Sequence, residues 1–186
     1  MKANKKIVFY FFSIFITLII LYIFIIQVFF NGNSHKFISK LKRNLTDDNY
    51  NLVEEIKSRY PCIPSPDNYQ YALVTKVIDG DSIQVLIEGN EYEIRYIGID
   101  APEYYSDDQA KALAAKLANQ ALVGGKELLL FRDKSETDKY FRLLRYVFVD
   151  TTFVNYKMVS EGYAVSKPYH PDVACQRIFD EAMGYP

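Results

Sequence analysis
Apolar and polar positions change their rhythm three times along this chain of 186 residues. From Ile7 to Phe30 no charged residue interrupts the sequence. A helix of that length, rising ~1.5 Å per residue, exceeds the roughly 30 Å hydrocarbon core of a bilayer. Residues 1–30 are therefore expected to be an N-terminal transmembrane anchor, with the lipid bilayer engaged through residues 7–30. A cleaved signal peptide is the alternative, because Lys2, Lys5 and Lys6 form a basic start ahead of the apolar run. Residues 31–68 mix polar and charged types and read as a tether. A short helix is expected between Leu45 and Tyr60, ended by Pro61 and the prolines after it.

Beyond residue 69 the period becomes two. Tyr71–Ile78, Ser82–Ile87 and Glu91–Ile99 predict three strands joined by the turns Asp79-Gly80-Asp81 and Gly89-Asn90. Apolar residues then recur at helical spacing from Ala110 to Leu122, with Asp107 or Asp108 as the cap and Gly124-Gly125 as the stop. Two further strands are predicted at Glu127–Phe131 and Leu143–Val149, flanking a polar loop. Helices follow from Thr151 or Thr152 to Ser160 and from Asp172 to Met183. Five strands with a helix between the third and fourth imply an α+β, mainly β domain over 69–186. Its expected architecture is a five-stranded OB-fold barrel with three helices, preceded by one N-terminal transmembrane helix.

Net charge of −1 conceals an uneven distribution. Residues 1–69 carry a net +4 and residues 70–186 a net −5. A polyanionic partner would therefore be held at a local cationic site and not by a globally basic surface. Two cysteines, Cys62 and Cys175, are too few to define a disulfide framework. A bond between them and two unpaired thiols are both open, the bond requiring an oxidising compartment.

The chemistry is concentrated in two short stretches. Asp81 ends the first turn, and Asp100 and Glu103 flank Ala101-Pro102 at the end of the third strand. Two carboxylates on neighbouring strand ends suit a hard divalent cation, which prefers oxygen ligands. Pro102 constrains the bend so that Glu103 is displayed beside Asp100, where a carboxylate can activate or orient a water. Arg95 within the third strand and Arg142 at the start of the fifth offer guanidinium forks that match phosphate oxygens. Each alone has an ordinary reading: Asp-Gly-Asp as a turn, Glu103 as a solvated loop carboxylate, Arg142 as a surface residue. Their combination favours a metal-assisted phosphodiester site.

These stretches, Val77-Ile78-Asp79-Gly80-Asp81-Ser82 and Arg95-Tyr96-Ile97-Gly98-Ile99-Asp100-Ala101-Pro102-Glu103, are joined by Thr137-Asp138-Lys139-Tyr140-Phe141-Arg142 and by Val154-Asn155 through Glu161-Gly162-Tyr163-Ala164. In that order and spacing they resemble the staphylococcal nuclease (thermonuclease) family from about Tyr71 to Ala182. The resemblance implies an OB-fold and a Ca2+-dependent phosphodiesterase. It implies that Asp81 and Asp100 bind the ion by side chain, Ala101 by its carbonyl oxygen, and Asp79 from the outer shell. It also implies that Glu103 acts on the attacking water, that Arg95 and Arg142 clamp the phosphate, and that Lys139 and Tyr140 touch a terminal phosphate of the nucleotide. Tyr169 is the candidate for stacking on a base. One departure stands out: the family's usual glycine before the second arginine is Phe141 here, which would be strained if the backbone requires a positive φ.

The sequence thus leads to the expectation of a membrane-anchored, calcium-dependent nuclease that hydrolyses DNA and RNA, preferably single-stranded, with low sequence specificity. Cleavage is expected at the bond to the 5′ oxygen, leaving 3′-phosphate ends. The catalytic domain is expected to be monomeric and to lie on the extracytoplasmic side of a single-pass anchor, with secretion after signal cleavage as the alternative. The rival expectation is a catalytically silent OB-fold module that holds single-stranded nucleic acid or a protein partner at a membrane.

Overall fold
A computed structural model describes residues 19, 21, 50–64, 68–103 and 108–184. Apart from Ile19 and Leu21, the apolar run 7–30 lies outside the described residues, among which no helix is long and apolar enough to cross a membrane. Residues Asn51–Pro186 cluster as one compact unit.

Its centre is a closed barrel of β1 (Tyr69–Val77), β2 (Ser82–Ile87), β3 (Asn90–Tyr96), β5 (Glu127–Phe131) and β6 (Leu143–Val149), with short strands β4 (Ile99–Asp100), β7 (Thr152–Phe153) and β8 (Val165–Ser166) added outside it. Around the barrel the neighbours are antiparallel, save β3 and β6, which run parallel and close it. This is the five-stranded OB-fold topology. Period-two alternation, stepped by a bulge between Val74 and Lys76, sends Val74, Val77, Ile83, Val85 and Ile94 inward, where Leu130 and Val147 meet them. Phe148, on the opposite face of its strand, packs against Phe131 and Phe153. Burial of each such side chain contributes roughly 1.5–3 kcal/mol.

Helix α1 (50–59), expected between Leu45 and Tyr60 but as part of a tether, belongs to this core, so among the described residues four helices accompany the barrel and not the three expected of the domain. Val53 and Ile56 are buried. Tyr60, just past its end, packs edge-on against Phe148 and Phe153 at centroid distances of 5.6 and 5.1 Å. The stretch read as a tether thus supplies part of the packing. Cys62 and Cys175 form a disulfide that fixes its exit to the segment before the last helix.

Three boundaries differ from the sequence expectation, each for a tertiary reason. The third strand stops at Tyr96 because Gly98 turns the chain at φ 78°, and a Cβ there would lie 2.5 Å from the Phe179 ring. Past that turn, β4 leaves the barrel to pair with β8, placing Asp100 opposite Val165. Thr152 and Phe153 pair with β6, so helix α3 begins only at Val154 and runs to Ser160. The last helix, α4, is confined to Gln176–Ala182, because the Asp172 carboxylate accepts the N–H groups of Lys134 and Ser135 instead of capping a longer helix. Helix α2 (Gln109–Val123) is capped by Asp108.

Candidate active site
The turn Asp79-Gly80-Asp81 is shaped by its own side chains. Asp79 Oδ1 accepts the Asp81 N–H at 3.0 Å, and the Asp79 carbonyl accepts Asn119 Nδ2 of α2 at 2.8 Å. A Cβ on Gly80 would lie 2.6 Å from that of Ala101 and 2.8 Å from that of Ala115, so only glycine lets the helix close over the turn. Asp79 is thereby committed to backbone work beside Asp81.

Asp81 is 4% exposed, and Arg95, opposite the next residue Ser82 in the β2–β3 register, is 9% exposed. Arg95 Nη1 lies 3.1 Å from Asp81 Oδ2 and Nη2 lies 2.9 Å from Asp100 Oδ1, so one guanidinium holds both carboxylates. Asp81 Oδ2 also accepts the Ala101 N–H at 2.6 Å, and Oδ1 accepts Ser82 Oγ at 3.1 Å. Burial pushes the Asp81 carboxyl up to about 7, against the opposing pull of Arg95 and the Ala101 N–H. Arg95 Nη1 further donates to the carbonyls of Tyr96 and Ile99. The Gly98 turn is thus locked by the same side chain that gathers the acids.

Asp100 has a second cation. Lys167, at the end of β8, places Nζ 2.7 Å from Asp100 Oδ2, and the Tyr169 hydroxyl approaches Oδ1 at 3.3 Å. Its ammonium is held above its ordinary pKa chiefly by the hydrogen bond to Asp100. Lys167 escaped the sequence reading because its role depends on β4–β8 pairing, which leaves no periodic signal.

The far wall is a hairpin turn from Asp138 to Arg142. Asp138 Oδ1 accepts the N–H groups of Tyr140 and Arg142, and Oδ2 accepts Arg142 Nε at 2.8 Å and Nη2 at 2.7 Å. Partial burial alone would raise the Asp138 carboxyl, yet these hydrogen bonds outweigh it and hold the group below its usual range. Asp138, within the Thr137–Arg142 motif, orients the arginine. Phe141 sits in this turn at φ 66°. A side chain costs about 1–2 kcal/mol in that left-handed conformation, which is why glycine is the residue such turns usually take.

Between the two walls lies a cavity of about 550 Å³ lined by Arg95, Asp100, Glu103, Tyr140, Arg142 and Tyr169, among others. Lys139 also lines it, whereas Asp79, Asp81 and Ala101 do not, Asp81 being joined to the lining through Arg95. Each guanidinium has an aromatic companion: Arg142 lies 5.6 Å from the Tyr140 ring centroid and Arg95 5.9 Å from that of Tyr169. Asp172 ties the 132–140 loop to the segment bearing Tyr169, and so fixes the distance between the walls. Nothing in the local sequence distinguished it.

Comparison with known proteins places this arrangement. A model described as staphylococcal nuclease homologue matches residues 93–182. The thermonuclease of Staphylococcus hyicus is 33% identical over 125 residues, spanning 62% of this chain and 70% of that protein. The chain belongs to the staphylococcal nuclease family. The thermonuclease of Staphylococcus intermedius is 32% identical over 114 residues, with 60% and 68% covered. Endonuclease YncB of Bacillus subtilis (strain 168) is 31% identical over 144 residues, 72% of this chain and 65% of that protein. The matched segment holds Arg95, Asp100, Glu103 and Arg142 together with Lys167 and Tyr169, so the whole lining described above falls within the family's own region.

Proposed function
We propose that this chain is a calcium-dependent nuclease that hydrolyses phosphodiester bonds of DNA and RNA with low sequence specificity. The observation that carries this reading is the convergence of Arg95, Asp100, Glu103 and Arg142 on one cavity, with Asp81 joined to its lining through Arg95. Its relatives' names, thermonuclease and endonuclease, agree with that chemistry.

The donor set fits a hard cation. Asp81 and Asp100 converge on one guanidinium, and the Ala101 N–H bonded to Asp81 brings the backbone after Asp100 to the same place. Asp81, Asp100 and the Ala101 carbonyl would hold the ion, with Asp79 fixing the turn behind Asp81. Among the described residues no group of three or more acidic, histidine or cysteine side chains is placed to hold a metal ion, so an ion here would rest on two carboxylates, one carbonyl and water. Bound there, calcium supplies positive charge to a phosphoryl oxygen and to a coordinated water.

The chain's own residues do the rest. Arg142, aimed by Asp138, and Arg95 present guanidinium N–H groups to the non-bridging oxygens, where charge develops in the transition state. Glu103 orients or deprotonates the water that attacks phosphorus. Lys139 and Tyr140 take a neighbouring phosphate, and Tyr169 stacks on a base, a contact tolerant of base identity. Cleavage on the 5′-oxygen side, leaving 3′-phosphate ends, follows the family. The apolar run 7–30 supports a single-pass anchor, and the Cys62–Cys175 disulfide supports an extracytoplasmic domain, since such bonds persist in oxidising compartments.

One observation favours the rival, a catalytically silent module that binds single-stranded nucleic acid or a protein at a membrane. Both oxygens of Asp100 are already engaged by cations, Arg95 and Lys167. Hydrolysis of single-stranded DNA, duplex DNA and RNA by the full chain in mild detergent, with calcium and with chelator, separates the two. Calcium-dependent cleavage that Glu103→Ser reduces by about 100-fold or more supports the nuclease; binding without cleavage supports the silent module.

A further inference from the structure
Phe141 is the most exposed large apolar side chain among the described residues, at 87%, and it occupies a left-handed backbone conformation. The turn that imposes this is over-determined. Asp138 accepts the N–H of Phe141 through its carbonyl and the N–H groups of Tyr140 and Arg142 through its carboxylate, and Thr137 pairs with Leu143 across the hairpin. Four anchors leave Phe141 no other conformation, and glycine would satisfy all of them without strain. An aromatic ring left bare in solvent returns nothing to the free protein, since it buries no area and the backbone is strained to display it. Strain maintained beside a binding cleft points to a role in the bound state.

The neighbours identify the ligand. Tyr140 and Arg142, on either side of Phe141 in the chain, both line the cavity, whereas Phe141 is not part of its lining and stands exposed between them. Lys139 and Arg142 stand over the Tyr140 ring at 4.9 and 5.6 Å, so the turn sets two aromatic rings, Tyr140 and Phe141, between two cations. Rings flanked by cations suit a polynucleotide strand, whose bases can stack while its phosphates meet positive charge. We infer that Phe141 is a stacking platform for an unpaired nucleobase just outside the cleft, one nucleotide from the phosphate that Arg142 holds. The inference rests on the nucleic-acid reading of the cleft and adds a specificity determinant to it. A base within a duplex has both faces covered by its stacked neighbours, so the platform favours single strands and frayed ends over intact duplex.

The test is binding of fluorescently labelled ten-residue oligo(dT) and of a blunt DNA hairpin closed by a non-nucleotide linker to the full chain in detergent, with chelator present so that nothing is cut. Phe141→Gly keeps the turn and frees it of strain. It is expected to melt at the same or a higher temperature, yet to weaken oligo(dT) binding roughly 5- to 150-fold, the range for loss of one stacked base. Hairpin binding is expected to change less than twofold, and Phe141→Trp to bind oligo(dT) at least as well as the parent. Unchanged oligo(dT) affinity in Phe141→Gly overturns the inference, as does an equal loss on both probes, or a parent chain that binds neither. The activity reading is judged separately by calcium-dependent cleavage. A parent chain that never cuts but loses oligo(dT) on Phe141→Gly sinks the nuclease and supports the platform. A parent that cuts while Phe141→Gly binds normally sinks the platform alone.

Discussion
The two arginines of the cleft are chemically identical and structurally opposite. Arg95 is built into β3, nearly covered, and its guanidinium joins Asp81 and Asp100 while bonding the carbonyls that shape the Gly98 turn. Arg142 stands on a hairpin turn, partly exposed, and is held by Asp138 four residues before it. One side chain is part of the fold and the other is only presented by it. Substitution at the first should therefore disturb stability and chemistry together, and substitution at the second chemistry alone.

Arg95→Met is the sharpest way to break this contrast. Removing one partner of a buried ion pair costs about 3–5 kcal/mol, here because Asp81 and Asp100 are left facing each other. Chemical denaturation should register that loss, and cleavage should vanish with it. A stable, inactive Arg95→Met would show that the cluster is not structural, and a stable, active one would remove Arg95 from the mechanism. Arg142→Ala should lower kcat by about 100- to 1000-fold, the usual effect of deleting one donor to a transition-state oxyanion, while shifting stability by less than ~1 kcal/mol. A folding defect as large as that of Arg95→Met would erase the distinction.

Legibility in the sequence follows the same division. The barrel strands were readable because their alternation is local, and Asp81, Arg95, Asp100 and Arg142 were readable because turns and strand ends carry them in short motifs. The end of β3 was not, because Tyr96, Ile97 and Ile99 continue the apolar run across Gly98, and the break depends on Phe179 from α4 filling the space where a Cβ would go. Helix 50–59 was legible as a helix, but the packing of Tyr60, just past its end, against Phe148 and Phe153 joins segments about ninety residues apart, which no local pattern records. Lys167 and Asp172 act only across pairings between remote segments, which no spacing rule encodes.

Protons probe the buried half of the cleft more gently. Burial raises the Asp81 carboxyl to about 7, so in the metal-free protein a proton is bound below that pH and lost above it. A cation requires the deprotonated form, so calcium affinity measured by calorimetry should rise with pH and level off above about 7. Between pH 7 and pH 6 it should fall by roughly fivefold, the change in ionised fraction for one group titrating near 7. A flat profile over that interval would mean that Asp81 is ionised throughout, or that it does not hold the ion.

Lys167 carries the smallest and most discriminating effect. Its ammonium occupies Asp100 Oδ2 in the metal-free protein, is about half exposed, and hangs from an edge pairing outside the barrel. Exposed ion pairs of this kind contribute about 0–1 kcal/mol, so a calcium ion approaching Asp100 must displace a weakly held competitor. Lys167→Met should therefore tighten calcium binding by roughly two- to fivefold, the equivalent of ~0.4–1 kcal/mol, with little change in melting temperature without metal. Should the substitution weaken calcium binding instead, Lys167 is orienting Asp100 for the ion and not competing with it. The cleft would then have a positioning cation on each oxygen of the same carboxylate, and the contrast between built-in and merely presented cations would move from the two arginines to Arg95 and Lys167.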